Sequence, residues 1–163
     1  MMFREMRRKR QELAEAECVE ILKRNTAGVL AVSGDDGYPY AVPLSYVYDG
    51  GVMYFHCAKS GHKLDAIKRN NKVSFCVVDQ DHVVPEEYTT YFRSVIVFGR
   101  ASIVRQDDEI RSAIEKLAIK YYPDDSKDSR DSAIDKEYKA MCMVEIHIEH
   151  MSGKEAIELI NAH

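Results

Sequence analysis

The 163-residue sequence contains no tryptophan, only four prolines and four cysteines, and no long apolar run. Each scarcity excludes something. A membrane-spanning helix needs roughly 20 consecutive apolar residues. The longest uncharged stretch here, 37–48, is interrupted by Pro39 and Pro43 and studded with Tyr38, Tyr40, Tyr46 and Tyr48, so no membrane partner is expected. Cys18, Cys57, Cys76 and Cys142 form no CxxC pair, and nothing marks the chain as secreted. They read as reduced thiols, mainly small core fillers. The opening MMFREMRRKRQELAEAE has no apolar stretch behind its basic residues and does not read as a secretory signal, which makes the cytoplasm the expected compartment. Neither GxGxxG nor GxxxxGK occurs, which excludes a dinucleotide fingerprint and a P-loop. Positive charge is not in excess either. Lys and Arg number 23 against 27 Asp and Glu, and a net charge of −4 suits general nucleic-acid binding poorly.

What is present is globular in balance, with 45% hydrophobic and 31% charged residues. There is no internal repeat and no Gly/Ser linker. At roughly 100–200 residues per domain, one domain spanning 1–163 is expected, with an N-terminal arm and helix and a C-terminal helix. Residues 12–24 carry Ala14, Cys18, Ile21 and Leu22 at helical spacing. Six strand-like segments follow, at 27–33, 38–48, 52–57, 72–78, 91–104 and 141–150. Pro39 and Pro43 confine the second to an edge, a bulge or a strand start, and Gly99 suggests a bulge or bend in the fifth. Helices are predicted over about 62–69 and from Asp107 to Pro123. The polar 123–132 reads as a mobile loop before a short helix, and Ser152 to Glu155 has capping-box spacing that predicts a terminal helix. Tight turns between most strands point to a mainly β fold, a small antiparallel barrel closed to remove its edges, with flanking helices.

Chemistry-bearing residues concentrate at Lys59-Ser60-Gly61-His62-Lys63, which joins a strand to a helix. Two ammonium groups, a hydroxyl, an imidazole and a flexible glycine beside helix N-terminal amides suit a phosphate; a solvated polar loop is the alternative. His56 and Cys57 are adjacent on a strand and therefore point to opposite faces, which argues against a Cys–His nucleophile pair. The same alternation separates His147 from His150, and His56 with His62 falls short of the three or four ligands a zinc site needs, so no metal is expected. Arg4, Arg7, Arg8, Lys9 and Arg10 make a basic arm that reads as a solvated face, or as a reach toward a bound anion across a subunit boundary.

The stretches GYPYAVPLSYVYDGG, MYFHCAKSGHKLDAIKRNNKVSFCVV and YTTYFRSVIVFGRA resemble the FMN-binding split-barrel family related to pyridoxamine 5′-phosphate oxidase. Within it they are most similar to the 5-nitroimidazole-resistance (Nim-type) branch. The resemblance implies a six-stranded antiparallel split β-barrel, and a homodimer with FMN at the subunit interface. It implies that Pro43, Leu44 and Ser45 run along the isoalloxazine and ribityl chain. Phe55, His56 and Cys57 would flank the flavin, with His56 nearest the reacting ring as the catalytic candidate. Lys59, His62 and Lys63 would hold the phosphate, and Ser94 would add a contact. The strand AVPLSY lacks the basic residues of the oxidase's Arg-x-Val-Leu-Leu-Lys segment, which speaks against oxidation of B6 vitamers but not against flavin binding. The implied activity is electron delivery through FMN to a nitroaromatic or related small molecule. Another flavin enzyme on the same barrel, or a non-catalytic flavin-binding module, are the rival readings.

Overall fold

Alternating burial along the central segments turns the sequence pattern into one antiparallel sheet. The computed structural model describes residues 3–162. In chain order it contains β1 (Glu12–Leu13), α1 (Glu15–Arg24), β2 (Ala27–Ser33), β3 (Pro39–Ser45), β4 (Val47–Asp49), β5 (Val52–Ala58), α2 (His62–Arg69), β6 (Lys72–Val84), β7 (Thr89–Ile103), α3 (Asp107–Tyr121), α4 (Lys127–Glu137), β8 (Met141–Glu155) and α5 (Ile157–Asn161). The sheet runs β3-β2-β6-β7-β8-β5-β4, with β1 added to β8.

Among the described residues eight strands therefore replace the six expected. The extra two are the short β1 and the division of one expected strand into β3 and β4 at Tyr46. Those two pieces are the ends of the ladder, so the sheet curls until one residue joins them, but among the described residues no hydrogen-bonded ladder closes it. The barrel is split rather than sealed. Tyr46 pins the junction: it is fully buried, its hydroxyl donates to the Leu22 carbonyl at 2.7 Å, and its ring meets Phe75 edge-on at 5.2 Å. From the other side the Lys120 ammonium lies 4.2 Å from the ring centroid and donates to the Tyr46 carbonyl at 3.3 Å.

The main core fills the barrel and takes in α1 and α2 through Ile21, Leu22, Leu64 and Ile67. A second core lies where α3 and α4 pack on the sheet, around Leu117, Ile134, Met141 and Met143. Two sequence expectations change here. The polar 123–132 is largely helix α4, because Ser126 accepts from the Ser129 amide at 3.1 Å as a cap. Its charges are also used, since Arg111 of α3 meets Asp135 at 2.6 Å and Lys127 meets Asp131 at 2.7 Å. Ser152 to Glu155 start no helix: all four pair with β7, Gly153 and Lys154 pair with β1 as well, and the terminal helix is the later α5. Ladder partners on both edges outweigh a local capping box.

Gly99 does sit at an irregularity. Phe98 pairs with His150 but Gly99 with Ile148, which leaves Glu149 of β8 as the extra residue. A Cβ at position 99 would press on the His147 carbonyl oxygen and lie 2.9 Å from the Ile146 methyl. Gly99→Ala is therefore expected to cost about 1–3 kcal/mol through overpacking, read as a lower midpoint in urea. An unchanged midpoint would show that the ladder yields there at no cost.

Candidate functional site

The split lies between the free edges of β3 and β5. β4 pairs with β5 as far as Val47–Tyr54, and continuing that register would set Ser45 against His56. Pairing stops instead: β3 bonds only to β2 and β5 only to β4 and β8. The outer backbone edges at Pro43–Ser45 and His56–Ala58 thus have no strand partner among the described residues. Pro43, which has no N–H, could not have extended the ladder in any case.

Strand alternation sorts the side chains. On β3, Pro43 and Ser45 are exposed on the outer face while Leu44 packs against the core. On β5, Phe55 is fully buried in the core, so its side chain is unavailable to a ligand outside and only its backbone borders the split. His56 points outward and is exposed, and Cys57 turns back toward the core. The protein packed around the His56 ring pushes its pKa below the usual 6.5, with Glu137 opposing. The shift favours the neutral imidazole at pH 7. Cys57 lies directly opposite Cys142 on β8. Burial raises the Cys57 thiol to about 11, Cys142 adds to the rise and Lys63 opposes it. A thiol so far protonated is no nucleophile at neutral pH.

β5 leads into the loop 59–61, and Gly61 takes φ 151°, a conformation that favours glycine, as the chain enters α2. No side chain caps the first turn of α2. Lys63 is half-buried in that turn and Lys59 is exposed before it. Among the described residues neither has a carboxylate within 4.0 Å, the limit for an ion pair. His62 turns the other way, stacking on Tyr40 with ring centroids 4.0 Å apart and its Nε2 3.8 Å from Asp35, which also pairs with Arg69 at 3.0 Å. The loop thus presents lysines, uncapped amides and a histidine braced by the turn after β2.

Ser94 is not part of this assembly within one protomer. It pairs with Lys154 of β8, whereas His56 pairs with Met143. At about 3.3 Å per residue, positions 143 and 154 are some tens of ångströms apart along the strand. Ser94 belongs instead to an outer face crossing β3, β2, β6 and β7, where Pro43, Val29, Cys76 and Ile96 are in register. Val29 and Ile96 are 40% and 41% exposed, and no charge interrupts that row. At its far side Phe3 of the N-terminal arm stacks on His150 at 4.8 Å. No sequence motif marks this face; it appears only once the register is known. Among the described residues no helix is long and apolar enough to cross a membrane, and no three His, Cys, Asp or Glu side chains cluster as metal ligands.

These features define a split antiparallel barrel, with Lys59 and Lys63 on the segment that joins β5 to α2. The family model described as pyridoxamine 5′-phosphate oxidase matches residues 14–155, and the chain belongs to that family. Among solved structures it is similar to a Bacteroides thetaiotaomicron protein named for 5-nitroimidazole antibiotic resistance, at 20% identity and TM-score 0.73, covering 88% of this chain and 86% of that one. It is also similar to a FAD-binding protein of Mesorhizobium loti, at 26% identity and TM-score 0.65 over 90% and 97% of the two chains. A conserved hypothetical protein of Mycobacterium tuberculosis aligns at 20% identity and TM-score 0.80 over 95% and 92%. No match was found among the curated proteins.

Proposed function

We propose that the protein is an FMN-dependent reductase of nitroaromatic or related electrophilic small molecules, working as a homodimer with FMN at the interface. The observation that carries the reading is the split: backbone edges at Pro43–Ser45 and His56–Ala58 without a strand partner, followed in the chain by Lys59 and Lys63, which among the described residues have no carboxylate within 4.0 Å. The residues fit the group. Backbone donors and acceptors suit the polar edge of a flavin ring, the exposed faces of Pro43 and Ser45 suit its flat surface, and the lysines with the α2 amides suit its phosphate. Bound FMN supplies the electron transfer. Neutral His56 offers a hydrogen bond or accepts a proton at the ring's edge, and Lys59 and Lys63 balance negative charge. The uncharged outer face around Val29 and Ile96 is the surface on which a second copy would cover the flavin. Four free thiols fit a reducing, cytoplasmic setting.

The test is a visible absorption spectrum of the purified protein, repeated after anaerobic NADPH and again after a nitroimidazole. A flavin spectrum that bleaches and then recovers is expected. A colourless protein that takes up no added FMN would remove the flavin reading, and a flavin that NADPH and reduced carriers never bleach would favour a non-catalytic module. Because one structural relative is described as FAD-binding, chromatography of the released flavin decides between FMN and FAD. Ile96→Lys is expected to halve the sedimenting mass by breaking the dimer; an unchanged mass would place the interface elsewhere.

A further inference from the structure

Cys57 of β5 stands directly opposite Cys142 of β8, in a ladder that runs from Val52–His147 to Ala58–Met141 without a register shift. Directly opposed strand residues project to the same face, and both thiols pack, half-buried, against the main core. The bonds nearby fix the type of pair. The Ile148 amide donates to the Gly51 carbonyl at 3.0 Å, and the Val104 amide donates to the Met143 carbonyl at 2.9 Å. The backbone of β8 therefore turns to β5 at Ile148 and to β7 at Met143, and alternation turns Cys142 to β5. Cys57 and Cys142 are then a hydrogen-bonded pair, with Cα atoms about 5.5 Å apart. Disulfides join Cα atoms about 4.4–6.8 Å apart, so the two strands already stand at bonding range. The side chains also interact: Cys142 raises the Cys57 pKa through its charge and through a hydrogen bond. The other two cysteines are placed differently. Cys76 faces Val29 and Ile96 across its ladders, and Cys18 is buried on α1 against Gly153.

Cys142 lies in the wall of a groove of about 460 Å³ that Lys59 and Lys139 also line, so a small oxidant or reductant reaches it from solvent. We propose that Cys57 and Cys142 are a reversible dithiol–disulfide pair, closed by peroxide and opened by small thiols, which bolts β5 to β8 beside His56. Cys142 gives two electrons to hydrogen peroxide and becomes a sulfenic acid as one water leaves. Cys57 then displaces hydroxide from that sulfur, the S–S bond forms, and the Cys57 proton leaves with the hydroxide as a second water. Two thiols and one peroxide become one disulfide and two waters. With both thiols reduced, burial and then Cys142 hold the Cys57 thiol protonated, up at about 11. Oxidation of Cys142 removes its share of that rise, while Lys63 continues to favour the Cys57 thiolate. Adjacency makes the second step intramolecular. The pair needs no bound cofactor and stands apart from the flavin reading.

The test treats the full-length, dithiothreitol-reduced protein with hydrogen peroxide, labels the remaining thiols with iodoacetamide in denaturant, and maps the peptides by mass spectrometry. A Cys57–Cys142 cross-linked peptide is expected, with Cys18 and Cys76 labelled, and dithiothreitol should return all four thiols to the labelled state. Because the bond constrains the long loop from 57 to 142 in the unfolded chain, the oxidised protein should melt about 5–15 °C higher than the reduced one. Cys142→Ser should abolish both the cross-link and the rise; if that variant does not fold, the wild-type map decides alone. Four labelled thiols after peroxide, a cross-link through Cys76 or between two chains, or a sulfinic acid at Cys142 beside a free Cys57 would each overturn the pair. The expected cross-link with an unchanged melting temperature would overturn its role as a bolt.

Discussion

Asp79→Asn is expected to destabilise the protein by about 3 kcal/mol. Asp79 is the extra residue of the β6 bulge, since Val78 pairs with Ser94 and Gln80 with Arg93. The bulge turns its side chain, 8% exposed, onto three partners. Arg24 grips it with both guanidinium arms, at 2.7 and 2.5 Å, and the Asn25 amide donates to it at 2.8 Å. Arg93 approaches at 3.8 Å and binds Glu155 at 2.9 Å, while Gln11 donates to the Glu155 carbonyl at 2.9 Å. One carboxylate thus ties the end of α1 to β6, β7 and β8. Breaking a buried ion pair costs about 3–5 kcal/mol, and the value falls at the low end because half-exposed Arg24 can return to water. The pH dependence has a definite sign. Hydrogen bonds from Arg24, then Asn25, hold the folded Asp79 carboxyl below its usual value, against burial. Its contribution is complete above the unfolded carboxyl pKa, about 3.9, and is lost as pH falls through the lower folded value. Urea titrations should show a gap between wild type and variant that is constant from pH 7 to about 5 and narrows in stronger acid. A gap of the same size at pH 3 would mean that Asp79 acts by packing rather than by charge.

Lys63→Met is expected to weaken flavin binding tenfold or more. A charge-assisted hydrogen bond contributes about 1.5–3 kcal/mol, and tenfold is about 1.4 kcal/mol. Methionine keeps the half-buried stem beside Cys57, so thermal unfolding should be nearly unchanged. Quenching of free FMN fluorescence on titration reads the affinity directly. Full flavin retention in the variant would remove Lys63 from the phosphate site. His56→Ala gives the contrasting result: flavin retained, with turnover of a nitroaromatic acceptor reduced much more. Equal loss of both would make His56 a binding residue only.

The legible parts of this protein were those encoded by local periodicity and turn chemistry. Residues 62–69 read as a helix and are one, and the segments read as strands at 27–33 and 52–57 are the strands Ala27–Ser33 and Val52–Ala58. Lys59 to Lys63 stood out because a strand, a glycine and a helix start occur together there. Cys57 could be separated from His56 because neighbouring strand residues face opposite ways. The errors arose where a distant partner overruled a local signal. Ser152 to Glu155 have the spacing of a helix start, yet β7 and β1 claim their backbone. The polar run after Pro123 looks unstructured until Arg111 supplies the charge that α4 needs.

By itself, then, the sequence determined the antiparallel β character, the helix preceding the sheet and the cationic loop, because hydrophobic period and capping act within a few residues. Only the tertiary structure decided where the barrel splits, because that depends on β3 and β4 bonding to opposite ends of one sheet with Tyr46 between them. Only it gathered Lys59, Lys68, Arg105 and Lys139 around one groove. Those four are spread over some 80 positions, and at about 3.3–3.6 Å of extended chain per residue nothing short of the folded sheet brings them together.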